Sequence, residues 1–509
     1  MTVQRYAVPI LLLFILVAFF LPLPLAPLFD LDEGAFSEAT REMLVGGDYI
    51  TTYLNGELRF DKPILIYWFQ LLSVKLFGLN EFALRLPSAI AGALWAGAIY
   101  WFVKRLIDSQ TAFLATLFMV VSLQINTIAK AAIADALLNL FIVLTMFLLY
   151  LYYIHRENRY LYGAFLAVGL GVLTKGPVAI MIPVIVTLIF FTLRGDFKGW
   201  LKMVFNPIGI LIFAAVALPW YIAEYMAQGQ AFIDGFFLKH NVSRFSSAME
   251  THGGSVFYFI PVLIIGFLPF TYFAVRAIGG VRSYIQDDLK LYLFIWFAFV
   301  FLFFSFSGTK LPHYVIYGYT PLFILAASYV EKEVSRGWLI YPILFLSIVL
   351  LFFPDIATQL QSHIKDQLAV VLIESAYEIF DLNYRLMLLG VILFLLFLRF
   401  KITTKASILL GVAASMVVIV NYIFIPTYGK LMQQPIKEAA LLAKKEGYQD
   451  IIMYKVNTPS FNVYYEGLVR KDQPQSGDIV LTKVPKLTDF GHYDTLYQNN
   501  GFALIKVKD

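Results

Sequence analysis

Cysteine does not occur anywhere in the 509 residues. Disulfides, zinc thiolate centres and thiol catalysis are therefore excluded, while the compartment is left open. Charge is scarce as well: Asp, Glu, Lys and Arg make up 14% of the chain, against 60% hydrophobic residues. With a mean hydropathy of +0.74, a soluble chain of this length could not hide its apolar surface. There is no Walker A motif, and no GxGxxG follows a strand-like run. No internal repeat or low-complexity tract stands out. The formal net charge of +5 is small; it gives no sign of a nucleic-acid partner and mainly reports loop charges that orient the chain.

What remains is a polytopic α-helical membrane protein. Apolar runs predict about thirteen spans, at roughly 6–28, 86–103, 111–128, 136–154, 160–174, 177–193, 203–222, 256–275, 291–307, 314–330, 337–353, 384–398 and 407–425. The run from Tyr6 to Phe29 has no small-x-small cleavage site and reads as an uncleaved first helix. Lys104 and Arg105; Arg156 and Arg159; Arg194, Lys198 and Lys202; Arg276, Arg282 and Lys290; Lys332 and Arg336; and Arg399, Lys401 and Lys405 all fall in alternate short loops on the side of Arg5. By the positive-inside rule that side is cytoplasmic. The expectation is a multi-pass bacterial inner-membrane protein, with residues 1–425 in the membrane unit and 426–509 outside it.

The long first external loop, 30–85, carries two helical patterns. Phe36, Ala39, Thr40, Met43 and Leu44 share one face, with Glu38, Arg41 and Glu42 opposite and Gly46-Gly47 as the stop. Pro63 to Phe77 is apolar almost all round and too short to span, which suits a helix in the interface plane. Past Pro426 the chain turns polar. A helix is predicted over Pro435–Glu446, and strands over Asp450–Lys455, Asp478–Lys483 and Phe502–Lys508, giving a small extracytoplasmic α/β domain.

Ionisable groups bordering a membrane are functional candidates. Asp32 and Glu33, with Asp30 nearby, read either as a carboxylate at a reaction centre or as acids favoured in a first helical turn. Lys62, in Asp61-Lys62-Pro63, reads either as a point charge for a lipid phosphate or as a snorkelling lysine. Lys130, Asp135, Lys175, His240, Arg244, Lys310 and His313 come from separate external loops. Their cations together suit a phosphate head group, although each alone also fits an interface charge. Asp61, His240 and His313 form a donor set suitable for a divalent metal such as zinc, and equally read as unligated polar side chains. No cytoplasmic loop is large enough for a nucleotide-sugar domain, so an outward-facing enzyme with a lipid-carried donor fits.

The stretch DEGAFSEATREMLVGGDYITTYLNGELRFDKPILIYWFQLLSVKLFGLNEFALRLPS, Asp32 to Ser88, resembles the first external loop of bacterial aminoarabinose transferases. These sit within the larger protein-mannosyltransferase-like group of membrane glycosyltransferases of the GT-C fold. AKAAIADALLNLF (Ala129–Phe141), LTKGP (Leu173–Pro177), KHNVSRF (Lys239–Phe245) and SGTKLPHYVIY (Ser307–Tyr317) extend the likeness over most of the membrane region, in order. The resemblance implies a monomeric glycosyltransferase that takes its sugar from an undecaprenyl phosphate donor to an acceptor such as lipid A, with 4-amino-4-deoxyarabinose as the family's best-known sugar. Other surface glycans or protein are alternative acceptors, and a lipid or sugar flippase is the reading from a different class. It further implies catalytic roles for Asp32 and Asp135, and donor-phosphate contacts from Lys62, with Lys130, Arg244, Lys310 and Lys175. The family's metal ligands fall on Asp61, His240 and His313, the first more often Glu there. One departure stands out. The family pattern Asp-Glu-x-Arg-Tyr reads here Asp32-Glu33-Gly34-Ala35-Phe36. A guanidinium and a hydroxyl are missing, and Arg41, Arg59 and Lys130 are the candidate cations to replace the first.

Overall fold

Long apolar runs form helices because the bilayer leaves backbone N–H and C=O groups no partners but each other. The computed structural model describes residues 6–243, 254–330, 335–402 and 404–509, without the side chains of 240–243. Among these, six helices are long and apolar enough to cross a membrane: Glu81–Leu106, Asp135–His155, Pro207–Gln228, Asp288–Phe306, Leu382–Lys401 and Lys405–Met432. The bent pair Arg336–Leu351 and Phe353–His363, kinked by 58°, makes a seventh if taken as one span. The expected spans at 111–128, 177–193 and 256–275 contain shorter apolar helices, Ser109–Val121, Val178–Leu193 and Val256–Gly266. The chain is a multi-pass helical membrane protein, and its buried aromatic and aliphatic side chains merge into one large core.

The first loop folds much as its pattern dictates. Helix α1 spans Asp32–Gly46 and ends where Gly47 takes φ +70°, a left-handed conformation suited to glycine. A two-stranded hairpin, β1 (Tyr53–Leu54) and β2 (Glu57–Leu58), follows. Helix α2 spans Leu65–Phe77. Its Leu72, Leu76 and Phe77 stay exposed while Ile66 and Tyr67 are buried, so it has an inner face and a greasy outer face. That fits an element lying against lipid. Glu38 and Arg41, opposite the apolar face of α1, are both buried and pair with each other at 2.6 Å. The reason is that the chain beyond 426 folds back over the polar side of α1.

That C-terminal segment holds helix α3 (Gln434–Lys445), the short helix α4 (Pro459–Tyr465) and a four-stranded sheet. Its strands β3 (Ile452–Met453), β4 (Ile479–Lys483), β5 (His492–Asn499) and β6 (Phe502–Lys508) run in the order β3-β4-β6-β5. β3 pairs parallel to β4, and the other pairs are antiparallel. Three strands match the prediction. β5 has a mostly exposed, polar edge with no apolar alternation, which is why its sequence hides it. The segment is docked on the membrane unit rather than tethered. The Tyr464 hydroxyl accepts from the Leu28 N–H at 2.8 Å and donates to Glu81 at 2.9 Å, and Lys437 pairs with the same Glu81 carboxylate at 2.5 Å. Tyr464→Phe removes both hydroxyl contacts. It should lower stability by about 1–3 kcal/mol, read as a fall in the unfolding temperature of the detergent-solubilised protein; an unchanged transition would show that the docking does not depend on them.

Candidate functional site

Helix α5 (Asp135–His155) begins with a carboxylate in its first turn, where the helix dipole favours negative charge. Asp135 Oδ1 accepts from Lys175 Nζ at 2.6 Å and from the Tyr317 hydroxyl at 2.5 Å. Lys175 also donates to the Tyr317 hydroxyl at 2.7 Å. Lys175 closes helix α6 (Asn158–Lys175), and Gly176 then turns with φ +78° against the Phe236 ring. A side chain at Gly176 would collide with that ring, so the turn that aims Lys175 requires glycine. His313 Nε2 lies 3.9 Å from the same Asp135 oxygen. Burial pushes the His313 imidazole below its ordinary value; Asp135 works against that push and Lys175 with it, and Asp32 and Lys62 are close enough to add opposing contributions. Asp32, Lys62, Asp135, Lys175 and His313, expected to converge, do so. Tyr317 is the member the sequence reading missed. It lies within SGTKLPHYVIY, but one tyrosine among 31 carries no signal of its own.

Asp32 and Glu33, adjacent in sequence, are put to different uses. Asp32 opens α1, is exposed, and lines a cleft of about 240 Å³ between the first helix, the 127–133 loop and residues 421–426. Glu33 borders the same cleft but is buried. It forms a two-pronged pair with Arg85, at 2.8 and 2.7 Å, and also accepts from the Phe29 and Ala132 N–H groups. Arg85 donates further to the carbonyls of Leu23, Ala26 and Pro27. Burial would raise the Glu33 carboxyl; the Arg85 charge and these hydrogen bonds outweigh it and hold the group below the usual range. Glu33 is thus a fastener, and Asp32 is the exposed acid of the two at the cleft.

The remaining cations sort by what they already hold. Arg41 is engaged with Glu38 through two nitrogens. Lys130 lines the cleft, and its ammonium donates to both the carbonyl and the side-chain oxygen of Asn126. Burial pushes it down to about 7, with Arg85 adding to the effect. Lys310 is buried and donates to the Ser307 carbonyl at 2.6 Å; no described contact joins it to Asp135 or Lys175. Arg59 lies over the Phe36 ring, 5.3 Å from its centroid, and pairs with Asp61 at 3.3 Å. Phe36 in turn stacks on Tyr67 at 5.3 Å. Of the cations considered for the place left by Ala35, Arg59 is therefore the one that sits against Phe36. For the metal set, donor chemistry suits zinc, but among the described residues no three His, Asp or Glu side chains come together around one point. The Asp61 carboxylate is already paired with Arg59. The His240 side chain and Arg244 lie outside the described residues.

Two outcomes follow. Glu33→Gln leaves a buried guanidinium without its counter-charge and should cost about 3–5 kcal/mol of stability. Asp32→Asn, at an exposed position, should leave the unfolding temperature within about one degree of wild type. Thermal unfolding of both variants separates fastener from presented acid. The second outcome concerns Asp30, whose carboxylate accepts from the Ser460 N–H at 2.9 Å and is also bonded to the Ser460 hydroxyl. Burial pushes Asp30 from 3.8 up to about 7. A raised carboxyl contributes most to stability below about pH 4, and that contribution declines as pH rises to about 7. The difference in unfolding temperature between wild type and Asp30→Asn should therefore shift against the wild type across this window; a constant difference would refute the assignment.

Known proteins resemble this chain in sequence and in fold. The model of the dolichyl-phosphate-mannose-protein mannosyltransferase family matches residues 61–222. An undecaprenyl phosphate-alpha-4-amino-4-deoxy-L-arabinose arabinosyl transferase of Aeromonas hydrophila is 32% identical over 349 residues, 66% of this chain and 62% of its own length. The Yersinia enterocolitica protein of the same name is 32% identical over 327 residues, covering 63% of this chain and 58% of its own. The matched region thus spans less than two thirds of these relatives. The crystal structure of ArnT from Cupriavidus metallidurans bound to undecaprenyl phosphate superposes with a TM-score of 0.82 at 20% identity, over 98% of this chain and 97% of that one. The archaeal oligosaccharyltransferase AglB from Archaeoglobus fulgidus reaches 0.55 at 13% identity, over 99% of this chain and 74% of its own. The resemblance read from the first loop therefore has support in sequence and fold: this chain is similar to the aminoarabinose transferases over part of their length, and it shares the membrane fold of the ArnT structure.

Proposed function

We propose that this protein is a glycosyltransferase that moves a sugar from a polyprenyl phosphate, undecaprenyl phosphate by its relatives' names, to an acceptor outside the cytoplasm. The observation that carries the reading is the meeting of Lys175, His313 and Tyr317 around Asp135, with Asp32 and Lys62 within electrostatic reach of His313, drawn from separate segments of the chain. A lysine and a histidine beside one buried carboxylate, with a second lysine in electrostatic reach, suit a phosphate leaving group. In the proposed step the bond between the sugar's anomeric carbon and the phosphate oxygen breaks, and the electron pair leaves with the polyprenyl phosphate. Lys62 and Lys175 stabilise that growing charge, with Lys130, Lys310 and Arg244 as further contributors. The acceptor oxygen then bonds to the anomeric carbon. A hydroxyl acceptor gives its proton to Asp32. A phosphate acceptor has none to give, and Asp32 then stabilises the positive sugar centre. Asp135 holds Lys175 and Tyr317 in place.

In this reading the site lies at the periplasmic face of an inner-membrane unit of about thirteen spans, residues 1–425, with 426–509 as a periplasmic α/β domain and the chain acting as a monomer. The loop charges on the opposite side support that orientation. A divalent metal such as zinc would take Asp61 and His313 with His240. Donor chemistry alone supports this, and no step above runs through it. The acceptor suggested by the relatives' names is lipid A, with 4-amino-4-deoxyarabinose as the sugar. The exchange of the Arg-Tyr pair for Ala35-Phe36 leaves another sugar or surface glycan as the second reading.

Incubation of the purified protein with polyprenyl phosphate sugars and candidate acceptors, followed by product mass spectrometry, tests the reaction. Asp32→Asn should lower turnover by at least about 10²-fold with the fold intact. Lys62→Gln should weaken donor binding and slow transfer together. Full turnover in the Asp32 variant would remove that carboxylate from the mechanism. Movement of labelled lipid across the bilayer without a covalent product would favour a flippase.

A further inference from the structure

The span Pro207–Gln228 carries a carboxylate that the proposed reaction does not use. Glu224 is 1% exposed. No cation pairs with it among the described residues, and the charge that bears on it is Asp48, another acid. A buried carboxyl without a counter-charge, at the border of a membrane, is costly to keep and calls for a use. Trp220, Glu224 and Gln228 stand four residues apart and so share one face of the helix. All three reach the start of the first-loop hairpin. Trp220 Nε1 donates to the Ile50 carbonyl at 2.9 Å. The Thr51 hydroxyl donates to Glu224 at 2.9 Å and accepts from Gln228 Nε2 at 3.2 Å.

The contact is passed along the hairpin. Thr52 closes its base: the hydroxyl donates to the Arg59 carbonyl at 2.6 Å, and its own carbonyl accepts from the Arg59 N–H at 2.9 Å. Arg59 holds Asp61 at 3.3 Å, and Lys62 Nζ folds back onto the Asp61 carbonyl at 3.0 Å. Phe60 packs edge-on against Phe232, just past the end of the same span, with ring centroids 5.7 Å apart. Gly235 leaves room for it, since a Cβ there would come within 2.5 Å of the Phe60 ring. The span and its continuation thus grip the hairpin at its entry and at its exit, two residues before Lys62. Ring packing at the exit resists separation but not sliding. The hydrogen bonds at the entry are directional, and they set the register.

We propose that Glu224 is a positioning residue: through Thr51 it fixes the first-loop hairpin, and through the hairpin the place of the Lys62 ammonium. The inference rests on the glycosyltransferase reading only for the donor-phosphate role of Lys62, and the grip on the hairpin is tested apart from it. The chain has no cysteine, so Leu58→Cys on β2 and Met226→Cys on the span, both exposed positions, take spin labels at those sites alone. In the full-length protein in detergent, Glu224→Ala and Thr51→Val should each broaden the distance distribution between the labels. Glu224→Gln keeps an acceptor oxygen and should leave the distribution as in the labelled parent. In unlabelled protein, Glu224→Ala should weaken binding of undecaprenyl phosphate by roughly fivefold, and Glu224→Gln by less than about twofold. In a Lys62→Gln background, Glu224→Ala should add less than about twofold, because the group it positions is gone. An unchanged distance distribution in Glu224→Ala overturns the grip. An equal loss of binding in both backgrounds overturns the link to Lys62. Undiminished binding in Lys62→Gln, with the distribution broadened in Glu224→Ala, would instead count against the donor role of Lys62 and leave the grip assigned.

Discussion

The Glu33–Arg85 pair is the contact on which the site's geometry depends. One guanidinium joins the end of the first helix, the start of α1 and the helix Glu81–Leu106, while the carboxylate adds the backbone at Ala132. Four segments thus meet at two side chains buried away from water. In such a setting each charge needs the other, and the planar fork of arginine fits both carboxylate oxygens and three carbonyls at once. A lysine would not reach them all. Because α1 is fastened at Glu33, the preceding residue is held at the surface of the cleft. The acid that faces the cleft is therefore positioned by its neighbour's engagement.

A second layer rests on this one. The C-terminal segment meets the same region through Asp30, Leu28 and Glu81. It also buries the polar face of α1, which explains why Glu38 and Arg41 pair inside the protein although their periodicity points them outward. Burial raises the Glu38 carboxyl to about 8 despite Arg41 beside it. The segment beyond 426 and the first loop are thus mutually dependent.

The departure from the family pattern at Ala35 and Phe36 has a local account. Phe36 stacks on Tyr67, and the Arg59 guanidinium lies over its ring. A positive charge above an aromatic face is favourable, more so when both are shielded from water. The first loop therefore keeps a guanidinium next to this position, delivered from the hairpin side rather than from α1.

The sequence by itself determined the membrane class, the helices of the first loop, three of the four C-terminal strands and most members of the charged cluster. Hydropathy and periodicity are local properties, and the bilayer makes their reading strict. The tertiary structure alone decided how those residues are used. Asp32 and Glu33 look alike in the chain, yet one is presented to the cleft and the other is locked to a residue 52 positions away. Tyr317 gained its role from Asp135, 182 positions off. Glu224 became notable only when it was seen to hold Thr51, 173 positions away. Side-chain partners are fixed by long-range packing, and no local pattern in a single sequence encodes which buried group will meet which.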